Sequence, residues 1–293
     1  MSILLNTDRI PFSMITWRFL NLRKVFAGNG CIMALTESGK VLQRVEDKEL
    51  SADMESWQGV EDIAISQHVP ALAVGLRRDG TCVVSEPALQ RCSEISGINA
   101  GKILRQVGSW RDIVQIRVSD AIFALDRFGN VHCAELSDPG QYRDVETWKR
   151  VTCISAGSQC AVFGVTAEGA VFCAGHNCVA GPRGDLREKL EGVAGVVDIC
   201  ATGAECQKIL LAYRDGTVKD LDGNFYGRKH AGRNVFISNF TVAAIRQADG
   251  TVIFDPYWFP EAESLQKLQG RPLGSCAVGH VAFEEPFAIA LSE

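Results

Sequence analysis

Apolar positions in this chain occur in short runs separated by glycine and polar residues, and the clearest example spans residues 151–177. Three apolar runs lie there, at 151–156, 161–165 and 171–174. They are rich in Val, Ile, Phe and Cys and are bounded by glycine. Runs of this length and composition are typical of buried strands rather than helices. The segment therefore predicts a unit of short strands.

A tight turn is predicted between the second and third runs, where Glu168 precedes Gly169. Glycine adopts positive φ without steric cost, so an acidic-Gly pair between apolar runs indicates a hairpin. The corresponding glycine recurs along the chain at Gly39, Gly80, Gly129, Gly169, Gly216 and Gly250. The intervals are 41, 49, 40, 47 and 34 residues. A period near forty with several strands per unit is the sequence signature of a β-propeller.

A second repeated pattern involves Trp57, Trp110 and Trp148, each followed by apolar residues at +3 and +6. Those positions hold Val60 and Ile63, Ile113 and Ile116, and Val151 and Ile154. A position repeated in this way is first of all a packing position. The tryptophans are therefore expected to be packing residues that precede the first strand of each unit.

The two patterns predict an all-β chain that forms one seven-bladed β-propeller over residues 1–293. The expected blades are approximately 17–56, 57–109, 110–147, 148–192, 193–232 and 233–272, with the seventh formed by 273–293 together with 1–16. The last unit stops where its hairpin should turn, and an apolar segment is available at 2–6. We expect segment 2–6 to complete the last blade and close the ring, because closure removes exposed sheet edges.

The segments between units are predicted to lie outside the sheets. Residues 46–56 are expected to form a charged connector, and 87–109 a polar excursion on the surface. Residues 262–268 are the one piece for which a helix is predicted, although 185–190 also fits a single helical turn or an outer strand.

The fourth unit has a fixed order of short motifs. They are Ala156-Gly157, Val165-Thr166, Glu168-Gly169, Val171-Phe172 and Gly175-His176-Asn177. This order resembles the repeat of the regulator of chromosome condensation (RCC1) family. The resemblance implies an RCC1-like propeller. Propellers of that type include nucleotide-exchange regulators, secreted enzyme inhibitors and adaptor proteins, so it does not choose an activity.

Composition excludes several classes of partner. The formal net charge of −5 argues against nucleic acid, whose partners normally carry a basic patch. No run approaches the roughly 18 apolar residues of a membrane span, and the start lacks the features of a signal peptide. The eleven cysteines are odd in number and lie mostly in apolar runs, which fits small buried side chains in a reducing compartment. We therefore expect a cytoplasmic protein.

Motifs that carry catalysis or bind cofactors are missing from the sequence. It contains no His-x-His or His-Glu-x-x-His pair, no Gly-x-Ser-x-Gly elbow and no phosphate loop. No catalytic residue, metal site or cofactor is therefore predicted. The leading hypothesis is a non-enzymatic scaffold or adaptor that binds a protein partner, whose identity the sequence does not disclose.

Two surfaces are candidates for that partner, because binding residues concentrate on loops held by a rigid framework. The first combines residues at the junctions between first and second strands, namely His68, Asp120, Gln159, Glu205 and His280. The second is the aromatic turn Tyr257, Trp258 and Phe259, which lies between two prolines and resembles an interface anchor. The alternative hypothesis is a propeller enzyme, or a protein with a small-ligand or metal site where junction residues converge at the tunnel mouth.

Overall fold

In the computed structural model the described residues form seven antiparallel sheets of three strands each. The structure describes residues 3–5, 21–28, 31–44, 48–66, 72–137, 140–156, 160–202, 206, 208–226, 230, 235–238, 242–256, 263–279 and 287–291. Six sheets are built from consecutive strands, and the seventh joins the last two strands to the first. The architecture is therefore all-β with short local sheets, as the repeat predicted.

The strands are short, between three and seven residues each. The first sheets contain β1 (Ile3–Leu5), β2 (Leu22–Ala27), β3 (Ile32–Thr36), β4 (Val41–Arg44), β5 (Val60–Ile65), β6 (Ala73–Arg77) and β7 (Cys82–Val84). The middle sheets contain β8 (Ile113–Val118), β9 (Ala121–Asp126), β10 (Val131–Glu135), β11 (Val151–Ser155), β12 (Val162–Thr166) and β13 (Val171–Ala174). The remaining strands are β14 (Val196–Thr202), β15 (Lys208–Tyr213), β16 (Val218–Asp220), β17 (Phe236–Ser238), β18 (Val242–Arg246), β19 (Val252–Pro256), β20 (Ser275–Gly279) and β21 (Phe287–Leu291).

In the third and fourth sheets the middle strand is the most buried strand. Every residue of β9 and every residue of β12 is buried, whereas the first strand β8 alternates between buried and more exposed positions. A strand that is paired on both edges and covered on both faces needs apolar side chains throughout. This explains the continuous apolar runs that precede each hairpin glycine.

The six predicted hairpins are present, and their glycines have φ between +76° and +88°. Gly169 also lies against the next sheet, since Val196 N donates to its carbonyl oxygen at 3.1 Å. A Cβ atom placed on Gly169 would lie 2.5 Å from Gly195 N. Gly129 makes the same contact with Val151. Glycine is thus required both by the turn and by the approach of the neighbouring sheet.

The repeated tryptophans are packing residues, as expected. Trp57 and Trp148 are 2% and 7% exposed, and each ring lies over a glycine of the middle strand. A Cβ atom on Gly75 would lie 3.0 Å from the Trp57 ring, and one on Gly164 would lie 2.8 Å from the Trp148 ring. The small middle-strand residue therefore makes room for the indole.

Helices occupy several segments between the sheets. They are α1 (Lys48–Glu55), α2 (Glu86–Ser96), α3 (Ala100–Ser109), α4 (His176–Ala180), α5 (Leu186–Leu190) and α6 (Glu263–Leu268), with a 3-10 helix at Arg143–Thr147. The helix predicted at 262–268 is confirmed by α6. The expectation that it is the one helical piece is wrong. None of the helices in the described part of the chain has the length and apolar character needed to cross a membrane.

Residues 87–109 are not the polar surface excursion that the sequence suggested. They form α2 and α3, and the side chains of Leu89, Ile103 and Val107 are buried in the core shared by the second and third sheets. Gln106 Nε2 donates to the carbonyl oxygen of Cys133 in β10 at 2.7 Å. The helical pair is therefore an integral layer against the outer strands of these two sheets.

First strands of neighbouring sheets contact one another in sequence. Contacts run from β2 to β5, β8, β11, β14, β17 and β20, and from β20 back to β2. In the seventh sheet β1 pairs with β21 in the register Ile3–Leu291, Leu4–Ala290 and Leu5–Ile289. This is the strand pairing expected for segment 2–6.

Candidate functional site

The first strands of the seven sheets surround a central cavity of about 730 Å³. We use "central cavity" for the space lined by β2, β5, β8, β11, β14, β17 and β20. Its charged lining side chains are Arg23, Lys24, Asp62, Arg117, Asp198 and Arg246. The cavity lies where a propeller has its axial tunnel.

A local irregularity in the first strand brings one particular side chain to this cavity in five of the sheets. The register with the middle strand shifts directly after the first residue of the strand, as between Val60 and Asp62. A bulge of this kind turns the following side chain away from the regular alternation. The equivalent residues are Lys24, Asp62, Gln115, Cys153 and Asp198. We call these five residues the belt.

Members of the belt bind the next sheet. Gln115 Oε1 accepts from Ile154 N at 2.9 Å, and Gln115 Nε2 donates to Ile154 O at 3.1 Å. Lys24 Nζ lies 3.3 Å from Asp62 Oδ1, which links the first and second sheets. In the seventh sheet Ser275 Oγ accepts from Val25 N at 3.2 Å. Belt residues therefore join the first sheet to the second and the third to the fourth, and Ser275 joins the seventh to the first.

Asp198 is the buried charged residue of the belt, at 4% exposure. Its Oδ1 accepts from Ile199 N at 2.9 Å and from Cys153 Sγ at 3.3 Å, and its Oδ2 accepts from Phe236 N at 3.2 Å. Burial raises the pKa of the Asp198 carboxyl above its ordinary value, although these hydrogen bonds and Arg117 oppose the shift. One carboxylate thus links the fourth, fifth and sixth sheets.

Cys153 is held as a thiol at this position. Burial, followed by the nearby Asp198 charge, raises the pKa of Cys153 well above its ordinary value. Because the thiolate is the nucleophilic form of cysteine, this geometry gives Cys153 a structural role as a hydrogen-bond donor to Asp198.

Of the predicted partner-binding residues, Asp120 lies within the described part of the chain. Its carboxylate accepts from Tyr142 Oη at 2.6 Å, Gln141 Nε2 at 2.9 Å and Ser119 Oγ at 2.8 Å. Burial and the Asp120 charge raise the pKa of Tyr142. Asp120 therefore ties the strand junction of the third sheet to the loop that follows that sheet. The other predicted residues, His68, Gln159, Glu205, His280, Tyr257, Trp258 and Phe259, lie outside the described residues.

The belt was not predicted, although a sequence signal for it exists. Asp62, Gln115 and Cys153 each follow a repeated tryptophan by five residues. The apolar residues at +3 and +6 from the tryptophan lie on the buried side of the strand. The residue at +5 reaches the cavity because of the bulge. Among the described residues no group of three or more His, Cys, Asp or Glu side chains is arranged to hold a metal ion.

A second cavity of about 730 Å³ lies beside the inserted helices. It is bounded by α3, by β10 and by the 3-10 helix, and its lining includes Lys102, Glu135 and Arg143. Near it, at the end of α2, the side chain of Ile95 is 71% exposed. We call this second cavity the groove of the inserted helices. It interrupts the repeat and gives one side of the molecule a distinct surface.

Comparison with known proteins supports the fold. No protein-family model and no curated protein matches the chain. Among solved structures it is similar to yeast RCC1 (Prp20), crystallised bound to Kap60, with a TM-score of 0.53 and 12% identity over 92% of this chain and 79% of the yeast chain. The structural likeness agrees with the motif order of the fourth unit, and the fold is a propeller-like fold of the RCC1 type.

Two further solved structures have TM-scores too low to define a shared fold. PorZ, a surface component of the type-IX secretion system of Porphyromonas gingivalis, gives 0.38 at 13% identity over 90% of this chain and 35% of that chain. The computationally designed Ika8 protein gives 0.40 at 13% identity over 92% and 80%.

Proposed function

We propose that the chain is a non-enzymatic protein-interaction scaffold, built as a single seven-bladed propeller. Seven three-stranded sheets and the circle of first-strand contacts support the blade count. The pairing of β1 with β21 supports closure within the seventh blade. Each of the seven sheets falls within one proposed blade. The blades are 17–56, 57–109, 110–147, 148–192, 193–232, 233–272, and 273–293 plus 1–16.

The observation that carries the proposal is the contrast between a repeated framework and irregular connecting segments. The sheets are joined through buried strands, hairpin glycines and the belt, which make the framework rigid. The inserted helices and their groove break the repeat on one side. Because binding residues concentrate on irregular segments held by rigid frameworks, this arrangement suits the display of a docking surface.

A protein is the proposed partner. Yeast RCC1, which has a similar fold, is bound to the protein Kap60 in its crystal structure, and we propose a protein partner for this chain by analogy. The net charge of −5 argues against nucleic acid. Nine of the eleven cysteines are buried and all eleven are thiols, which supports a location in the reducing cytoplasm.

The test begins with affinity capture from the native extract to identify the partner, followed by measurement of its affinity for variants. If the aromatic turn is the anchor, Trp258→Ala weakens binding by roughly tenfold or more with little change in Tm. Phe225→Ala is the matched control, because Phe225 is an exposed aromatic residue elsewhere, at 71% exposure. Its affinity should equal that of the parent.

The junction surface is tested separately with the double variant His68→Ala and His280→Ala. Weaker binding in this variant together with parental affinity in Trp258→Ala assigns the partner to the junction face. If Trp258→Ala instead lowers stability while affinity per folded molecule is unchanged, Trp258 is a core residue and the aromatic turn is not a binding site.

The alternative of a small-ligand site has one observation in its favour, namely the central cavity. An enzymatic or metal-binding version remains a prediction from the junction residues. A rise in Tm with Ca²⁺, Mn²⁺ or Zn²⁺ would support it.

A further inference from the structure

The central cavity carries an excess of positive charge. Its lining contains four cationic side chains and two carboxylates, although the whole chain has a formal charge of −5. A concave site lined by one sign of charge concentrates ions of the opposite sign. The cavity therefore differs electrostatically from the rest of the molecule.

The two carboxylates neutralise only part of this charge. Asp62 is paired with Lys24 at 3.3 Å, so this acid and this base compensate each other. Asp198 directs both oxygens to donors in β11, β14 and β17 rather than to a cation. Arg23, Arg117 and Arg246 therefore outnumber Asp198, the one carboxylate of the lining that is not paired with Lys24.

Each of these arginines is oriented by a main-chain carbonyl. The bonds are Arg23 Nη2 to Glu61 O at 2.7 Å, Arg117 Nη1 to Ile116 O at 2.8 Å, and Arg246 Nη1 to Leu273 O at 3.0 Å. A carbonyl fixes a guanidinium without neutralising it, and a guanidinium has five N–H donors. Within the described residues, none of the three forms an ion pair with a carboxylate.

The arginines surround the cavity instead of meeting at one point. Arg23, Arg117 and Arg246 belong to the first, third and sixth sheets. An anion with a single acidic group cannot bind all three guanidinium groups at once, whereas an anion with several acidic groups can. The volume of about 730 Å³ falls within the range of about 300–1,000 Å³ typical of small-molecule pockets. Phe26 and Phe236 in the lining offer apolar surface for a carbon skeleton.

We propose that the central cavity binds a small organic anion carrying two or more phosphate or carboxylate groups. Guanidinium groups recognise both kinds of oxyanion through paired hydrogen bonds. The proposed site goes beyond the scaffold role, because its arginines lie on strands β2, β8 and β18, whereas the docking surface is proposed on the connecting segments.

Isothermal titration at fixed low ionic strength tests the site with inorganic pyrophosphate, citrate and inorganic phosphate as probes. Pyrophosphate or citrate should bind more tightly than phosphate, and the preferred probe distinguishes phosphate from carboxylate recognition. Arg117→Gln and Arg246→Gln should each weaken binding by roughly tenfold. Arg111→Gln is the matched control, since Arg111 also donates to main-chain carbonyls, those of Gly108 and Trp110 at 2.7 Å each, but lies outside the cavity.

Footprinting of the unaltered protein covers the case in which a variant fails to fold. Phenylglyoxal modification, mapped by mass spectrometry, should show protection of Arg117 and Arg246 by the bound probe and none of Arg111. The proposal is overturned if neither pyrophosphate nor citrate binds more tightly than phosphate, if Arg111→Gln weakens binding as much as the cavity variants, or if the cavity arginines are not protected. Partner affinity is measured separately, so these results leave the scaffold role untouched.

Discussion

Gly169 meets two demands at once, a left-handed turn and close contact with the next sheet. Its φ is +86° and a Cβ atom there would lie 2.5–2.6 Å from the backbone of Gly195 and Val196. Gly192 has a similar φ of +76°, but no atom lies within 4 Å of its Cβ position. The two glycines therefore separate the cost of the backbone conformation from the cost of the contact.

We expect Gly192→Ala to lower the free energy of unfolding by roughly 1–2 kcal/mol, the cost of a left-handed alanine. Gly169→Ala should lower it by about 3 kcal/mol or more, because the backbone of the next sheet must also move. Equilibrium unfolding in urea measures both values. Equal losses in the two variants would mean that the contact between sheets contributes little.

Residue positions set by local chemistry were predictable from the sequence. The acidic-Gly pairs predict the hairpin glycines, and the spacing of the following apolar residues identifies the repeated tryptophans. The belt was not predictable in the same way, because Gln115 and Asp198 act through hydrogen bonds to a different sheet. The spacing from the tryptophans marks Asp62, Gln115 and Cys153 as equivalent positions, but it does not reveal the bulge that turns these side chains toward the cavity. The junction candidates share a position in the repeat, and of these Asp120 is held by Tyr142 and Gln141.

At the scale of elements, the helical pair α2–α3 is where the sequence interpretation failed. Its boundary signals were present, since Pro87 lies in the first turn of α2, Gly97 ends that helix with φ +68°, and the Asn99 side chain caps α3. The apolar residues are few, so the sequence alone favours a polar surface segment. Only the packing of Ile103 and Val107 against two sheets makes these few residues sufficient for a buried layer.

Ile103 and Ile95 provide a matched pair for testing that layer. Ile103 is 5% exposed in α3, whereas Ile95 is 71% exposed in α2. Ile103→Ala should lower the free energy of unfolding by about 2 kcal/mol or more, as expected for a buried truncation. Ile95→Ala should change it by about 0.5 kcal/mol or less. If both substitutions prove neutral in chemical denaturation, the helices do not belong to the core.

At the scale of the whole molecule, the seventh sheet is the place where the ends of the described chain meet. Each sheet contacts its two neighbours, so the stability of a ring depends on an unbroken circle of interfaces. Removal of β1 leaves β21 with an open edge, which lowers stability and favours association between molecules.

Deletion of residues 1–6 should therefore lower Tm by roughly 5–10 °C and produce oligomers in size-exclusion chromatography with light scattering. A circular permutant that joins Glu293 to Met1 by a short linker and opens at residue 192 keeps the strand and serves as the control. It should remain monomeric with a Tm near that of the parent. A deletion variant that matches the parent in both measurements would show that the pairing of β1 does not support the ring.

The pairing of Ile3 with Leu291 also orders events during synthesis. Strand β1 leaves the ribosome long before its partner β21 is made. Six sheets can therefore form on the nascent chain before the seventh is complete. Domains generally fold as units and begin at the N-terminus during translation, yet β1 gains its partner only after β21 has been made. A ribosome-bound chain lacking β21 would hold an open arc of sheets with β1 unpaired, and emergence of β21 from the ribosome would be the step that turns the arc into a ring.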